Sequence, residues 1–302
     1  MRGATIPMWL STILLIGFSF CIWVFTVLSL QKQLRFATLL FDLLPYYPIL
    51  ELSAALCFTI GLYLWLPLSY VALVGSIGWA VTLLLMYHFI KWGKGYSLDQ
   101  YRFFLRTIKD ERYDTLLFND HIDGDFKKNK VNVLLRHDVD ISLFRARRMY
   151  EIEKEQGIRS TYFFRMHAEK YSHEEAIPLI RQLHVDGFGI GMHYDMLSFT
   201  KGDKEKAIAL FREDLVRLRE IATTHIVCPH GHRKYKNREI WSELDRESLQ
   251  VWSAYDMKYD FYISDAGGGR IIDSQGRHIL GRVDEAKLGQ VVQVLIHPDW
   301  WF

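Results

Sequence analysis

The sequence predicts an α/β fold of parallel strands, closed into a barrel or left as an open sheet, behind three transmembrane helices. Three observations lead there. The first third of the chain is almost uncharged. The remainder alternates short branched-apolar runs with amphipathic helical patterns. Histidines and aspartates gather at the ends of those apolar runs, the place where catalysis collects in parallel α/β folds.

Between Met8 and Ile90 the only acidic or basic residues besides histidine are Lys32, Arg35, Asp42 and Glu51. Apolar runs over 8–30, 48–66 and 69–90 approach or exceed the roughly 20 residues that cross a bilayer. Pro67 and Leu68 alone separate the second from the third, which suits a helical hairpin. The segment from Phe36 to Asp42 reads as interfacial. No ionisable side chain sits deep in the third span and Glu51 is near an end of the second, so these spans read as an anchor and not an ion path. The first run is too long for the h-region of a cleaved leader. Lys32, Arg35, Lys91, Lys94, Arg102, Arg106 and Lys109 share one side in a three-span topology, and Arg2 lies on the other. The positive-inside bias then places the second domain in the cytoplasm. The domains expected are a membrane anchor over 1–95 and a catalytic domain over 96–302.

A net charge of +2 marks neither a nucleic-acid binder nor an acidic-substrate trap. Cys21, Cys57 and Cys228 lie far apart and imply no disulfide framework. After Gly95 the composition turns globular. Strands are expected at Val131–Val139, Ser160–Arg165, Phe188–His193, His225–Pro229, Phe261–Ser264 and Val291–His297. Leu143, Ala146, Met149 and Tyr150 share a helical face that ends at Gly157, a suitable C-cap. Ser172 and Glu175 have capping-box spacing before a second helix. Ile208, Phe211, Leu215, Leu218 and Ala222 define a third.

The strand ends form a constellation. The first delivers His137, Asp138 and Asp140; the third, His193 with Asp195 beyond it; the fourth, His230-Gly231-His232-Arg233. Asp265 follows the fifth, and His297-Pro298-Asp299-Trp300-Trp301 closes the sixth. Any one of these is more often a satisfied polar residue than a ligand, but five on one rim call for a common cause. A mixed Asp/His set suits Zn²⁺ or Fe²⁺ and leaves positions open for water.

Leu135-Arg136-His137-Asp138-Val139-Asp140, Ser160–Phe164 and Gly189–Asp195 resemble the polysaccharide deacetylases, carbohydrate esterase family four. The order and spacing of His230-Gly231, Asp265 and Leu295–Pro298 are similar too, so the resemblance runs from about Val131 to Trp301. It implies an irregular, often seven-stranded (β/α) barrel that uses a divalent metal to remove acetyl groups from N- or O-acetylated sugars. By motif, Asp138 resembles the catalytic base, His297 the general acid and Asp265 the residue that orients its partners. Asp140 and His193 resemble metal ligands. The chain departs from the family at Leu197, where a second ligand histidine usually stands, and at Pro229–Arg233, which replaces an Arg- and Pro-containing motif.

The third ligand must then come from a neighbouring strand end. His230 is the first choice because it directly follows an apolar strand and Gly231 permits a tight turn; Asp195 and His232 are the alternatives. Tyr194, Trp300 and Trp301, with Arg233, are expected to contact the sugar. The metal expected is zinc, with iron or cobalt as alternatives, and the substrate an acylated sugar, a lipid-linked precursor among the candidates. A non-catalytic carbohydrate-binding domain on a membrane anchor is the competing reading.

Overall fold

A computed structural model describes residues 96–301, except 123, 125, 266–270 and 272–276. The expected spans over 8–30, 48–66 and 69–90 and the segment from Phe36 to Asp42 lie outside the described residues. Among the described residues no helix is long and apolar enough to cross a membrane.

Among the described residues eight strands run parallel in one sheet: β1 (Tyr113–Leu116), β2 (Val131–Val139), β3 (Thr161–Phe164), β4 (Gly189–Tyr194), β5 (Ile226–Pro229), β6 (Trp252–Ser253), β7 (Phe261–Ser264) and β8 (Val291–Ile296). Their spatial order is β6-β5-β4-β3-β2-β8-β7, with β1 beside the first half of β2 and β3 beside its second half. Every residue of β2 is buried, as the apolar run Val131–Leu135 requires of a central parallel strand covered on both faces. The sheet curls into a half-barrel. The Arg136 guanidinium of β2 lies 5.0 Å from the ring centre of Phe163 on β3 and 5.2 Å from that of Tyr255, just past β6. Only a curled sheet brings the two within reach of one side chain. Leu116, Phe118, Leu134, Phe163, Ile226, Cys228 and Ala254 fill the concave side.

Helices α1 (Leu98–Ile108), α2 (Phe118–Ile122), α3 (Leu143–Gln156), α4 (His173–Val185), α5 (Met196–Phe199), α6 (Lys204–Arg219) and α7 (Arg246–Leu249) complete the described regular structure with three 3₁₀ turns. The caps follow the local sequence. Gly157 ends α3 at φ 69°, which costs glycine little. Ser172 and Glu175 close a capping box at α4. Phe211, Leu215 and Leu218 of α6 pack into a cluster with Leu179, Ile180 and Leu183 of α4 and with Ile190 and Met192 of β4.

β1, β6, α1, α2, α5 and α7 were not expected from the sequence. β6 is two residues long and β1 carries Asp114 and Thr115 between its apolar ends, so neither has a periodic signal.

The outward side of β2 carries a correction. His137 leaves the rim and turns into the layer between sheet and helices, where its Nε2 lies 2.6 Å from Glu153 Oε1 of α3. Glu153 also accepts from the Tyr101 hydroxyl, from Ser160 Oγ at 2.7 Å and from the Tyr162 hydroxyl at 2.9 Å. Neighbouring residues of a strand face opposite sides, so Asp138 and His137 cannot share a rim.

Candidate metal centre and its flanking acid–base groups

At the C-terminal edge of the half-barrel, β2, β4, β5 and β8 bring their ends together. Asp140, one residue past β2, places Oδ1 3.3 Å from His193 Nε2 on β4 and 3.9 Å from His230 Nε2 after β5. The backbone aligns the last two, because His193 is paired in register with Cys228 and the His230 N–H donates to Tyr194 O at 2.8 Å. The His193 and His230 rings stand edge to face, 5.2 Å apart. One donor atom from each of Asp140, His193 and His230 falls within the span of a single cation.

Tautomer and charge are set around this group. His193 Nδ1 lies 3.1 Å from Cys228 O and 2.9 Å from Cys228 Sγ. Without a cation, burial lowers His193, but Cys228 and the Asp138 and Asp140 carboxylates outweigh it and raise the ring well above the ordinary histidine range, so Nε2–H faces Asp140. With Nδ1–H donating to the carbonyl, a cation at this place would take the position of that Nε2 proton, the usual way an outer partner orients a ligand histidine. Burial, then the charge of His193, hold His230 down to about 4, so its ring is neutral at neutral pH. Asp140 is held below the ordinary carboxylate range: burial opposes ionisation, but the neighbouring histidines outweigh it. Asp140 Oδ1 is nonetheless buried without a hydrogen bond, and so is His230 Nδ1. An orphaned carboxylate oxygen facing two imidazole nitrogens fits a divalent cation by donor type, and the exposed fractions near 20% leave a route to solvent.

Asp138 sits one layer below. Both of its oxygens accept from Arg136, at 2.7 Å each, and Oδ2 is 3.5 Å from His193 Nε2. Burial would raise its pKa, but Arg136 overrides this and keeps it well below the usual carboxylate range. Asp138, His193 and Cys228 also approach closely enough to share a cation. There, however, both Asp138 oxygens already serve Arg136. The β2–β8 register places His297 beside Asp138, since His137 pairs with Ile296. His297 Nδ1 is 2.5 Å from Asp265 Oδ1, and its N–H donates to Asp265 Oδ2 at 2.7 Å. Burial depresses the His297 ring, but Asp265 outweighs burial and raises it to about 9. Asp265 is fully buried and also accepts from Trp301 Nε1 at 3.3 Å.

The other residues singled out from sequence fall elsewhere. Asp195 is taken up by Arg165, at 2.9 and 2.7 Å. His232 Nδ1 accepts from Lys234 and Tyr235 N–H within its own loop. Arg233 is exposed on that loop, and Trp300 is partly buried against the outer cluster. Tyr194 and Trp301 do not offer a sugar platform. Tyr194 is buried on the helix side against Phe211 and Trp241, and Trp301 is buried against Tyr96 and Tyr101. Half-exposed aromatic surface lies instead near the edges of the sheet. Trp252, Tyr255 and Tyr259 line a cavity of about 800 Å³, and Tyr262 packs beside Tyr259.

Arg136 and Cys228 are the site residues that sequence reasoning did not assign. Arg136 had a readable signal: positions 136 and 138 of a strand face the same side. Cys228 had none, since its part is played by a backbone carbonyl and a thiol against His193.

The arrangement is that of a parallel (β/α) half-barrel with a cation-competent Asp/His₂ group at its C-terminal edge, an ionised carboxylate below it and an acid-backed histidine beside it. No protein-family model matches the sequence, and no curated protein matches it. Solved structures similar to it are deacetylases and a related protein of carbohydrate esterase family 4. A chitin deacetylase from Colletotrichum lindemuthianum is 15% identical with a TM-score of 0.38, over 55% of this chain and 73% of its own. A mutant CE4 pseudoenzyme with restored activity is 15% identical at TM-score 0.37, over 55% of this chain and 56% of its own. A peptidoglycan N-acetylglucosamine deacetylase bound to a naphthyl N-oxidanyl-benzamide is 14% identical at TM-score 0.37, over 55% and 72%.

Proposed function

We propose that the chain is a membrane-anchored hydrolase that uses a divalent cation to remove an acetyl or similar acyl group from an N- or O-acylated sugar. One observation carries the reading: Asp140 Oδ1, buried and without a hydrogen bond, faces the Nε2 atoms of His193 and His230. Left unpaired, such an oxygen costs about 1–3 kcal/mol or more. A cation answers that cost, and aspartate with two imidazoles suits zinc first, iron or cobalt next. When bound, the cation would supply Lewis-acid polarisation of the acyl carbonyl and a lowered pKa for water.

The protein's own groups do the proton work. Asp138, kept ionised by Arg136, accepts the proton of the attacking water. His297, protonated up to about pH 9 through Asp265, donates to the departing nitrogen or oxygen. Asp265 holds the His297 ring by Nδ1, so Nε2 carries the transferable proton. The motif resemblance supports a sugar as substrate. The apolar runs over 8–90 and their flanking lysines and arginines support an anchor that keeps this domain on the cytoplasmic side, where a lipid-linked glycan precursor would meet it.

The test is elemental analysis of the purified full chain, paired with an assay of acetate release from N-acetylglucosamine oligomers. About one cation per chain, with release abolished by chelation and restored by Zn²⁺, is the expected result. Metal-free protein that gains none on dialysis, yet still binds the oligomers, would establish the non-catalytic carbohydrate-binding reading instead.

A further inference from the structure

Directly after His297, the 3₁₀ turn Pro298–Trp300 folds back over the end of β2. Asp299, within that turn, is buried and presents both carboxylate oxygens to one peptide segment. Its Oδ1 accepts from the Ser142 N–H at 2.7 Å and its Oδ2 from the Ile141 N–H at 3.1 Å. These are the first two amides after Asp140. Its own carbonyl accepts from Arg145 Nη1 of α3. Ser142 is the N-cap of α3 and accepts from Arg145 N at 3.3 Å, so the segment between β2 and α3 is held from both sides.

We infer that Asp299 is a positioning residue for Asp140. Its carboxylate fixes the peptide that presents Asp140 to His193 and His230, and ties that peptide to the turn following His297. The inference rests on the metal-centre reading above. It follows from the geometry of the loop: Asp140 lies beyond the last β2–β3 and β2–β8 register pairs, so neighbouring strands do not hold it. Asp299 supplies the missing constraint. Asparagine at this position can accept at one atom only and turns an amide donor toward the other N–H, so one of the two bonds is lost.

The test measures Zn²⁺ affinity of the full chain by competition with a chromophoric chelator, and records the visible spectrum of the Co²⁺ form. Outer partners of ligands usually govern about 10–100-fold in metal affinity. Asp299→Asn should weaken Zn²⁺ binding within that range and shift the Co²⁺ bands, while Asp299→Glu, which keeps two acceptor oxygens, should recover part of the loss. A folded Asp299→Asn protein with wild-type affinity and unchanged bands would overturn the inference and leave the metal centre standing. A wild-type chain that binds neither ion would remove the metal centre and this inference with it. A measurement on the wild type covers the case of a variant that does not fold. The Ile141 and Ser142 amides should be protected from hydrogen exchange in the metal-free chain, and rapid exchange at both would show that no brace exists.

Discussion

Asp138 and Asp140 are two residues apart, yet their surroundings assign them opposite tasks. Asp138 is enclosed with Arg136, and Asp140 stands at the edge with a bare oxygen toward two histidines. Asp138→Asn should therefore lower acetate release by about 10²–10⁴-fold, the usual worth of a general base, while bound metal stays near one per chain. Asp140→Ala should instead empty the site, which metal analysis of the same preparations would show. If Asp138→Asn is the variant that loses the metal, the two roles must be exchanged. His297 sets a pH limit. Its folded pKa of about 9 lies above its ordinary value, so the charged ring persists through neutral pH and is lost as pH rises through about 9. The activity profile should fall on that basic limb, and Asp265→Asn should move the limb toward the ordinary histidine value of about 6.5. An unmoved limb would show that another group sets it. The sign is the same for stability: the pair's contribution is complete below about 6.5 and disappears above about 9.

Helix α3 is joined to β2 and β3 through one side chain. Glu153 gathers His137, Tyr101, Ser160 and Tyr162 in a fully buried network. Glu153→Ala removes the shared acceptor, leaving Tyr101 and His137 only each other, and should cost about 1–3 kcal/mol, seen as a lower urea midpoint. A loss below about 1 kcal/mol would mean that water replaces the carboxylate. Between β3 and β4 the constraint is space. A Cβ on Gly191 would lie 2.4 Å from the Phe163 ring, so Gly191→Ala forces ring or strand to move, at about 1–3 kcal/mol. Since His193 is two residues further along the same strand, the same variant should also weaken Zn²⁺ binding. Melting and metal titration of one preparation would separate the two effects.

For the whole molecule, the expected anchor sets where the chemistry takes place. If the three-span topology holds, protease added to intact cells should spare residues 96–302 and digest them only after the membrane is opened. Digestion from outside would overturn the number of spans or their orientation, and with it a substrate on the inner leaflet.

Six of the strands were legible because burial on both faces of a parallel sheet demands mostly apolar, branched runs such as Val131–Leu135 and Val291–Ile296, each interrupted by a single amide side chain, and no helix period competes with them. The caps at Gly157 and Ser172 were legible because their chemistry is local. The grouping of His and Asp at strand ends was visible for the same reason: parallel strands deliver successive C-termini to one edge. The strand period of two, applied strictly, also separates Tyr194 from His193 and His137 from Asp138, and pairs Arg136 with Asp138. What sequence could not decide was which of His230, Asp195 and His232 meets Asp140. That choice depends on Arg165 claiming Asp195 across 30 residues and on the turn after β5 folding His232 back onto its own loop. It could not show Asp299 reaching the amides of Ile141 and Ser142, 158 and 157 residues away. Contacts of that separation leave no periodic trace in the chain; they exist only once the curl of the sheet has set the distance between β2 and the segment after β8.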